Sequence, residues 1–448
     1  MTLRIGAGAG FAGDRIDPAR DLAERGRLHA IAFECLAERT LAYGHLARRA
    51  DPARGYHALI ERRLGAVLQA CVAQGTTIIT NMGVANPQAA GRVVVELARR
   101  MGLKLRVAVV EGDDLTATVR PATFLPEIGK TVGEHGLPVV GANAYLGVEA
   151  ILPALDHEPH VVITGRVADP SLFLAPLVHR YGWKLDDWER LGAGTAIGHL
   201  LECTMQVTGG YFADPPYKTV PDIAYLGFPL AEVEADGSGV ITKLEDTGGL
   251  VSELTVKEQL LYEVHDPRAY LTPDVTADFS GVALAGDGVN RVRVSGAGGR
   301  ERPAKLKALV GFDGGFLAEA EFSYAGAGAL ARATIAADIV KERMVHVHRC
   351  ADTLRLDFIG VNALHATANE AQRPASDGDA PRDVRLRAAL RTHDRQMADN
   401  LLAEVESLWL GGPAGGGGYR GSVAPSVTTQ PFYVDRSSID LKVQVMQS

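Results

Sequence analysis

Short apolar runs recur through the first 180 residues of the chain. Arg4–Ala9, Ala30–Glu34, Thr76–Thr80, Leu105–Glu111, Pro138–Ala142 and His160–Thr164 are each brief, rich in Val, Ile or Ala, and followed by a glycine or a polar turn. Runs of this length without alternation are what strands buried on both faces show. Between them the period changes to that of a helix. Over 56–73, Ile60, Leu64, Val67, Leu68 and Cys71 share one face. Asn86-Pro87 opens a helix that Gly102 closes, with Arg99 and Arg100 in its last turn. Asp169-Pro170 opens another, which ends at Gly182. Alternating strand and helix predicts an α/β domain over 1–190: a parallel sheet with helices on both faces, and a ligand site at its strand ends.

The pattern loosens from residue 191. A helix near 195–208 runs into Gly209-Gly210-Tyr211-Phe212, and loops with short strands follow to about residue 300. Residues 305–312, 327–340 and 353–361 read as strand, helix and strand. The polar stretch 366–381 reads as an exposed linker, 383–407 as one helix, and 411–421 as a Gly-rich loop. A last strand places Leu441, Val443 and Val445 on one face. The expectation for 191–448 is therefore a mixed α+β second domain.

The composition suits a large core: 46% of the 448 residues are hydrophobic and 22% charged. A net charge of -8 with no run of Lys or Arg speaks against nucleic acid. Cys35, Cys71, Cys203 and Cys350 form no CxxC and no zinc-type spacing, so they read as buried thiols of a reducing compartment and no metal is expected. No stretch of roughly 18 apolar residues appears, and Met1 runs into a strand, which points to a cytoplasmic chain without a membrane partner.

Four places carry candidate chemistry. Gly8-Ala9-Gly10-Phe11-Ala12-Gly13 follows a strand, with Glu34 on the next, in the spacing of a dinucleotide fingerprint. Pro18 argues against it, because the helix is then expected from Pro18 rather than within the glycines. The alternative is a turn in which Gly10 and Gly13 let the backbone pass close to an anionic ligand or to another loop. Asp14 and Arg15 beside it form an ion pair or point into the site. Second, polar residues follow the strands: Asn81, Glu111, Asp113, Asp114, Asn143, Arg166 and Asp169. Ligands of open α/β sheets bind at those ends, where an Arg holds a carboxylate in two prongs. Against this, Asp169 is also an ideal N-cap and the Asn residues are also turn formers. Third, the apolar helix around Gly198–Gln206 carries His199, Glu202 and Cys203. Buried there, Glu202 is a general acid or base; His199 with Cys203 is either a thiolate pair or merely structural. Fourth, the glycines of 411–421, Gly416 and Gly417 among them, form an anion-cradling loop, a lid or a subunit contact.

Several stretches resemble one family. They are Gly10–Arg15, Phe33–Thr40, Thr80-Asn81-Met82-Gly83, Gly165–Pro170, Gly198–Asp214, Leu226-Gly227-Phe228-Pro229 and Lys257–Glu263. Together they resemble the acyclic terpene utilisation family of the AtuA type, over nearly the whole chain. The resemblance implies a place in terpenoid degradation through CoA thioesters. Longer relatives carry a further C-terminal ferredoxin-like domain, and the resemblance implies that this domain is either absent here or supplied by a small partner subunit. The leading expectation is a catabolic enzyme of the hydratase or lyase class, acting on a branched or carboxylated acid or its CoA thioester. Asp169, Glu202 or Glu34 would move the proton; Arg166 or Arg15 would anchor the substrate, with Asp14, Asn81 and Asn143 beside them. No cofactor is then needed, CoA entering only as part of the substrate. The alternatives are a non-catalytic subunit or scaffold of a CoA-dependent complex, and an NAD-dependent oxidoreductase. A homo-oligomer is expected in any case.

Overall fold

The computed structural model describes residues 2–364 and 381–448. The linker predicted over 366–381 lies, but for Pro381, outside them. The chain divides into two units: one runs to Gly311 and takes in Thr429–Ser448, the other is Phe312–Thr428.

In the first unit a ten-stranded sheet is built around five parallel strands. Their order is Leu3–Ala9, Ala30–Phe33, Thr77–Thr80, Val161–Ile163 and Arg106–Glu111. Ile31, Phe33, Ile78, Val107, Val109, Val161 and Ile163 face Leu22, Leu64, Val67 and Val94 of the helices Asp17–Arg25, Ile60–Gln74 and Pro87–Arg100. The alternate residues Ala32, Ile79, Ala108 and Val162 are buried as well. The helices Val148–Leu155 and Ser171–Tyr181 pack on these strands too. With both faces covered, each Ile or Val contributes about 1.5–3 kcal/mol, and the strands read as unbroken apolar runs. The α/β class holds, but the sheet is mixed. Pro229–Val233, Gly239–Lys243, Arg291–Ser295 and Ala283–Gly286 extend it antiparallel from the first strand, and Lys442–Gln447 closes the other edge antiparallel to Arg106–Glu111.

Those added strands carry the unit past residue 190, which lies inside the helix Trp188–Glu202. The strand predicted at Pro138–Ala142 is present as Val139–Ala144 but is not among the strands of the ten-stranded sheet. It pairs with the strand Lys305–Ala325, and the Tyr145 N–H donates to the Lys307 carbonyl at 2.9 Å.

The second unit runs strand, helix Ala329–His346, strand Leu354–Ile359, strand Asp383–Thr392, helix Arg395–Glu406, strand. Its strand order, Leu354–Ile359, Asp383–Thr392, Lys305–Ala325, Gly416–Asp435, is that of a split βαβ unit. Asp383–Thr392 was expected as the start of a helix. Val384, Leu386, Ala388 and Leu390 are all buried, a period of two that fixes a strand with one face on the helices. The predicted Gly-rich loop is a short helix, Leu408–Gly411, and then a strand from Gly416, so Gly416 and Gly417 sit in a ladder rather than around an anion. A Cβ on Gly416 would meet the Phe322 ring at 2.3 Å, which is why glycine stands there. Among the described residues no helix is long and apolar enough to cross a membrane.

Candidate functional site

A cavity of about 870 Å³ opens in the first unit beyond the carboxyl ends of Leu3–Ala9 and Ala30–Phe33. This is where open α/β sheets bind ligands. Its wall begins with the glycine turn. The helix after that turn starts at Asp17, so no helix N-terminus faces the glycines. The Asp14 carboxylate organises the turn instead. It accepts from the Gly10 N–H at 2.9 Å, the Arg15 N–H at 2.7 Å and the Thr204 hydroxyl at 2.8 Å. Fully buried Arg63 holds the same turn by donating to the carbonyls of Ala12, Asp14 and Arg15. A Cβ on Gly10 would stand 2.5 Å from the Glu202 carbonyl, so glycine is what lets the turn lie against the helix end. Arg15 makes no ion pair with Asp14. Its guanidinium donates to the Ala224 carbonyl at 2.9 Å and lines the cavity.

Glu34 directly follows the second strand and is buried. Its Oε1 accepts from the Leu36 N–H at 2.7 Å and from the Asn81 amide at 3.0 Å. Burial, with the negative charge of Asp169, pushes this carboxyl up to about 8, although Arg166 and the two donors pull the other way. Asn81 is the positioning partner: its Oδ1 accepts from the Cys35 N–H at 2.8 Å.

Arg166 is buried and donates to the Leu36 carbonyl and, at 2.9 Å, to Asp169. Its guanidinium lies 4.0 Å from the centre of the Tyr145 ring, and the Tyr145 hydroxyl donates to Glu38 at 2.6 Å. Asp169 therefore does not cap the next helix, which begins at Ser171 with no side-chain cap. Burial pushes the Asp169 carboxyl up, against the pull of Arg166. Behind Arg166, Asp113 accepts from its backbone N–H at 2.7 Å and from the Asn143 amide at 2.8 Å, while Asn143 Oδ1 meets His45 Nε2 at 2.6 Å.

Glu202 closes the helix Trp188–Glu202 at the cavity wall. Its Oε1 is 2.7 Å from His199 Nδ1, and its buried Oε2 has no partner. Burial pushes the carboxyl up to about 7; His199 lowers it, and the charges of Asp169 and Glu263 raise it. The imidazole stacks on Phe279, with ring centres 5.7 Å apart, and faces Tyr270 at 5.1 Å. Since His199 is spent on Glu202, it does not activate Cys203, whose thiol burial pushes up, away from a thiolate.

Of the expected residues, the cavity gathers Gly10, Arg15, Glu34, Arg166, Asp169 and Glu202. Asp14, Asn81 and Asn143 stand behind the wall as supports, and Gly13 lies off it. Gly416 and Gly417 belong to the second unit. Glu111 and Asp114 sit at the end of their strand but engage Gln88 and Arg48, away from the cavity. Sequence reasoning missed Glu38, Thr204, Tyr262 and Glu263 on the wall, and Arg63 behind it. Glu38, Thr204, Tyr262 and Glu263 all fall in stretches that carry the family resemblance, which was the one signal for them. Among the described residues no group of three or more His, Cys, Asp or Glu is placed to hold a metal ion.

Residues 3–445 match the model of the family described as acyclic terpene utilisation family protein AtuA. The chain belongs to that family. No curated protein and no solved structure matches it. Family membership points to a role in acyclic terpene utilisation; what chemistry is done there has to come from the cavity.

Proposed function

We propose that this chain is an acid–base enzyme of the addition–elimination type, a hydratase or lyase in outline. Its substrate is a branched or carboxylated organic acid or the CoA thioester of one, met in acyclic terpenoid breakdown. The observation that carries the reading is Glu202: a buried carboxyl with one oxygen fixed by His199 and the other without a partner on the cavity wall. A carboxyl pushed up to about 7 is half ionised near neutral pH, the condition under which proton transfer is most efficient. Glu34, on the same cavity, is pushed up to about 8 by burial. Two raised carboxyls on one cavity wall support a division of labour, one taking a proton and the other giving one. The Glu202 carboxylate takes the proton from the carbon beside the carbonyl. The Glu34 carboxylic acid gives its proton to the departing hydroxyl, which leaves as water; the reverse sequence adds water. Arg166 and Arg15 hold the carbonyl end in place. The scheme uses no redox cofactor, and CoA takes part only as a piece of the substrate.

The test is to follow the absorbance of α,β-unsaturated branched acyl-CoAs with purified protein. Glu202→Gln should lower turnover by about 10²–10⁴-fold with the melting temperature retained. Wild-type-like turnover by that variant removes Glu202 from the scheme. If no acyl-CoA or acid is turned over by the wild type, the reading gives way to a non-catalytic subunit or scaffold of a CoA-dependent complex.

A further inference from the structure

We infer that a second cleft, at the other end of the same strands, binds the phosphate group of a small phosphate monoester. It lies apart from the Glu202 cavity and does not depend on the acid–base reading. Its volume is about 520 Å³. Leu3, Ala30 and Thr77, the first residues of three adjacent parallel strands, line it, so it sits at their amino ends. Among the described residues its wall carries Arg27, His29, His179 and Arg180 and no Asp or Glu. In a chain of net charge -8, such a wall is a local reversal of sign that draws anions in.

Helices end here, and cations are favoured at helix C-termini because the last carbonyls lack partners. Other donors already meet that need. The Ala23 and Glu24 carbonyls both accept from the Gln74 amide at 2.9 Å, and the Gly26 carbonyl accepts from the Arg4 guanidinium at 3.0 Å. The Leu155 carbonyl accepts from the Glu158 N–H at 2.9 Å, and the Val178 carbonyl from the Gly182 N–H. Arg27, by contrast, is exposed and makes no ion pair or side-chain hydrogen bond among the described residues. It also stands at a φ of 49°, one residue past Gly26, where the helix Asp17–Arg25 ends. That left-handed position favours glycine, and a long side chain held in it is strained. A residue kept in a strained conformation with its guanidinium uncommitted serves a ligand better than it serves the fold.

His29 adds a donor of another kind. Its Nδ1 accepts from the Arg4 N–H at 3.1 Å, which leaves the ring hydrogen on Nε2. Burial and the charges of Arg180 and Arg4 lower its pKa, so the imidazole donates without being charged. His179 Nε2 lies 3.4 Å from Asp156 and is the one group of the four that faces an acid at that range. A phosphate monoester brings nearly two negative charges and three acceptor oxygens. That suits donors arriving from separate segments better than a planar carboxylate does. Leu28, Leu155 and Pro176 complete the wall with apolar surface for the body of the ester.

The test is titration calorimetry of the full chain with phenyl phosphate, benzoate and inorganic phosphate, near neutral pH and at fixed ionic strength. Phenyl phosphate should bind with a Kd on the order of 10⁻⁴ M. Benzoate, which lacks the second charge, and inorganic phosphate, which lacks the body, should each bind roughly tenfold more weakly. Arg27→Gly removes the guanidinium and gives the backbone the residue it favours there, so this variant should melt close to wild type. It should nevertheless bind phenyl phosphate at least roughly tenfold less tightly. Arg20→Gln, which removes an exposed cation of the same helix outside the cleft, should leave the affinity unchanged. The inference is overturned if wild type fails to bind phenyl phosphate at millimolar concentration, or if Arg27→Gly binds it as wild type does. It is equally overturned if Arg20→Gln weakens binding as much as Arg27→Gly, or if benzoate or inorganic phosphate binds as tightly as phenyl phosphate. None of these outcomes bears on turnover in the Glu202 cavity.

Discussion

Two buried glutamates, one in each unit, sit against a histidine and come to opposite ends. Glu404 in the second unit meets His348 Nε2 at 2.6 Å and also takes the Arg343 guanidinium. Burial works to raise its carboxyl, but Arg343 and His348 outweigh burial and hold it below the ordinary value. Glu202 in the first unit meets His199 Nδ1 at 2.7 Å and nothing else, and burial wins. A guanidinium separates a structural ion pair from a carboxyl poised to exchange a proton. On the wall of the Glu202 cavity, Arg166 is committed to Asp169.

The comparison breaks most sharply on turnover. Glu202→Gln should cost about 10²–10⁴-fold in rate while Glu404→Gln costs nothing measurable. Equal losses in the two variants would mean that both act through folding, and the contrast between a working and a structural acid would fall.

The pH dependence of stability sharpens the same contrast. Glu34 and Glu202 have folded values raised above 4.5, to about 8 and about 7. Such groups favour the fold fully below their unfolded value, and that contribution is lost as pH rises through the folded one. Glu404 is lowered, so its contribution is present above 4.5 and is lost as pH falls through its folded value. Melting temperature should therefore decline between about pH 5 and pH 8 through the first unit. Glu34→Gln should flatten that decline and melt higher than wild type near pH 8, with little difference near pH 5. A decline of the same slope in Glu34→Gln and Glu202→Gln would take the titration away from these two groups.

How much of this was legible in the sequence follows from what patterns encode. The five parallel strands were readable because burial on both faces leaves short unbroken apolar runs. Their polar ends then named Arg166 and Asp169, while the glycine turn named Glu34 and the apolar helix around Gly198–Gln206 named Glu202. Val139–Ala144 shows the limit: its composition gives a strand, but nothing in it says that the partner is Lys305–Ala325 rather than a strand of the ten-stranded sheet. Asp383–Thr392 did alternate, and the alternation was lost by reading it together with the helix that follows. Arg63 was not legible at all. It lies in a helix whose apolar face holds Ile60, Leu64 and Val67, and only the turn folded across it makes a buried guanidinium worth its desolvation.

A smaller effect belongs to Glu404. Glu404→Gln removes the charge that Arg343 and His348 share, and hydrogen bonds to a charged group are worth about 1.5–3 kcal/mol each. The Arg343 side chain is 49% exposed, so water takes over much of what it loses. A cost of about 1–2 kcal/mol is therefore expected, a few degrees in melting temperature, read by calorimetry near pH 7. A stabilised variant would mean that the ion pair is a net burden on the second unit.

The smallest expected effect is at Asp14, and it separates support from chemistry on the cavity wall itself. Asp14→Asn keeps an acceptor oxygen but loses the charge that the Gly10 N–H, the Arg15 N–H and the Thr204 hydroxyl all address. It should destabilise by about 1 kcal/mol. Because the turn also carries Arg15 and lies against the Glu202 backbone, its loosening should weaken ligand binding more than it slows proton transfer. In steady-state terms KM rises several-fold while kcat holds. A fall in kcat with KM unchanged would put Asp14 among the groups that touch the reacting atoms, and the division of this wall into supports and proton carriers would have to be redrawn.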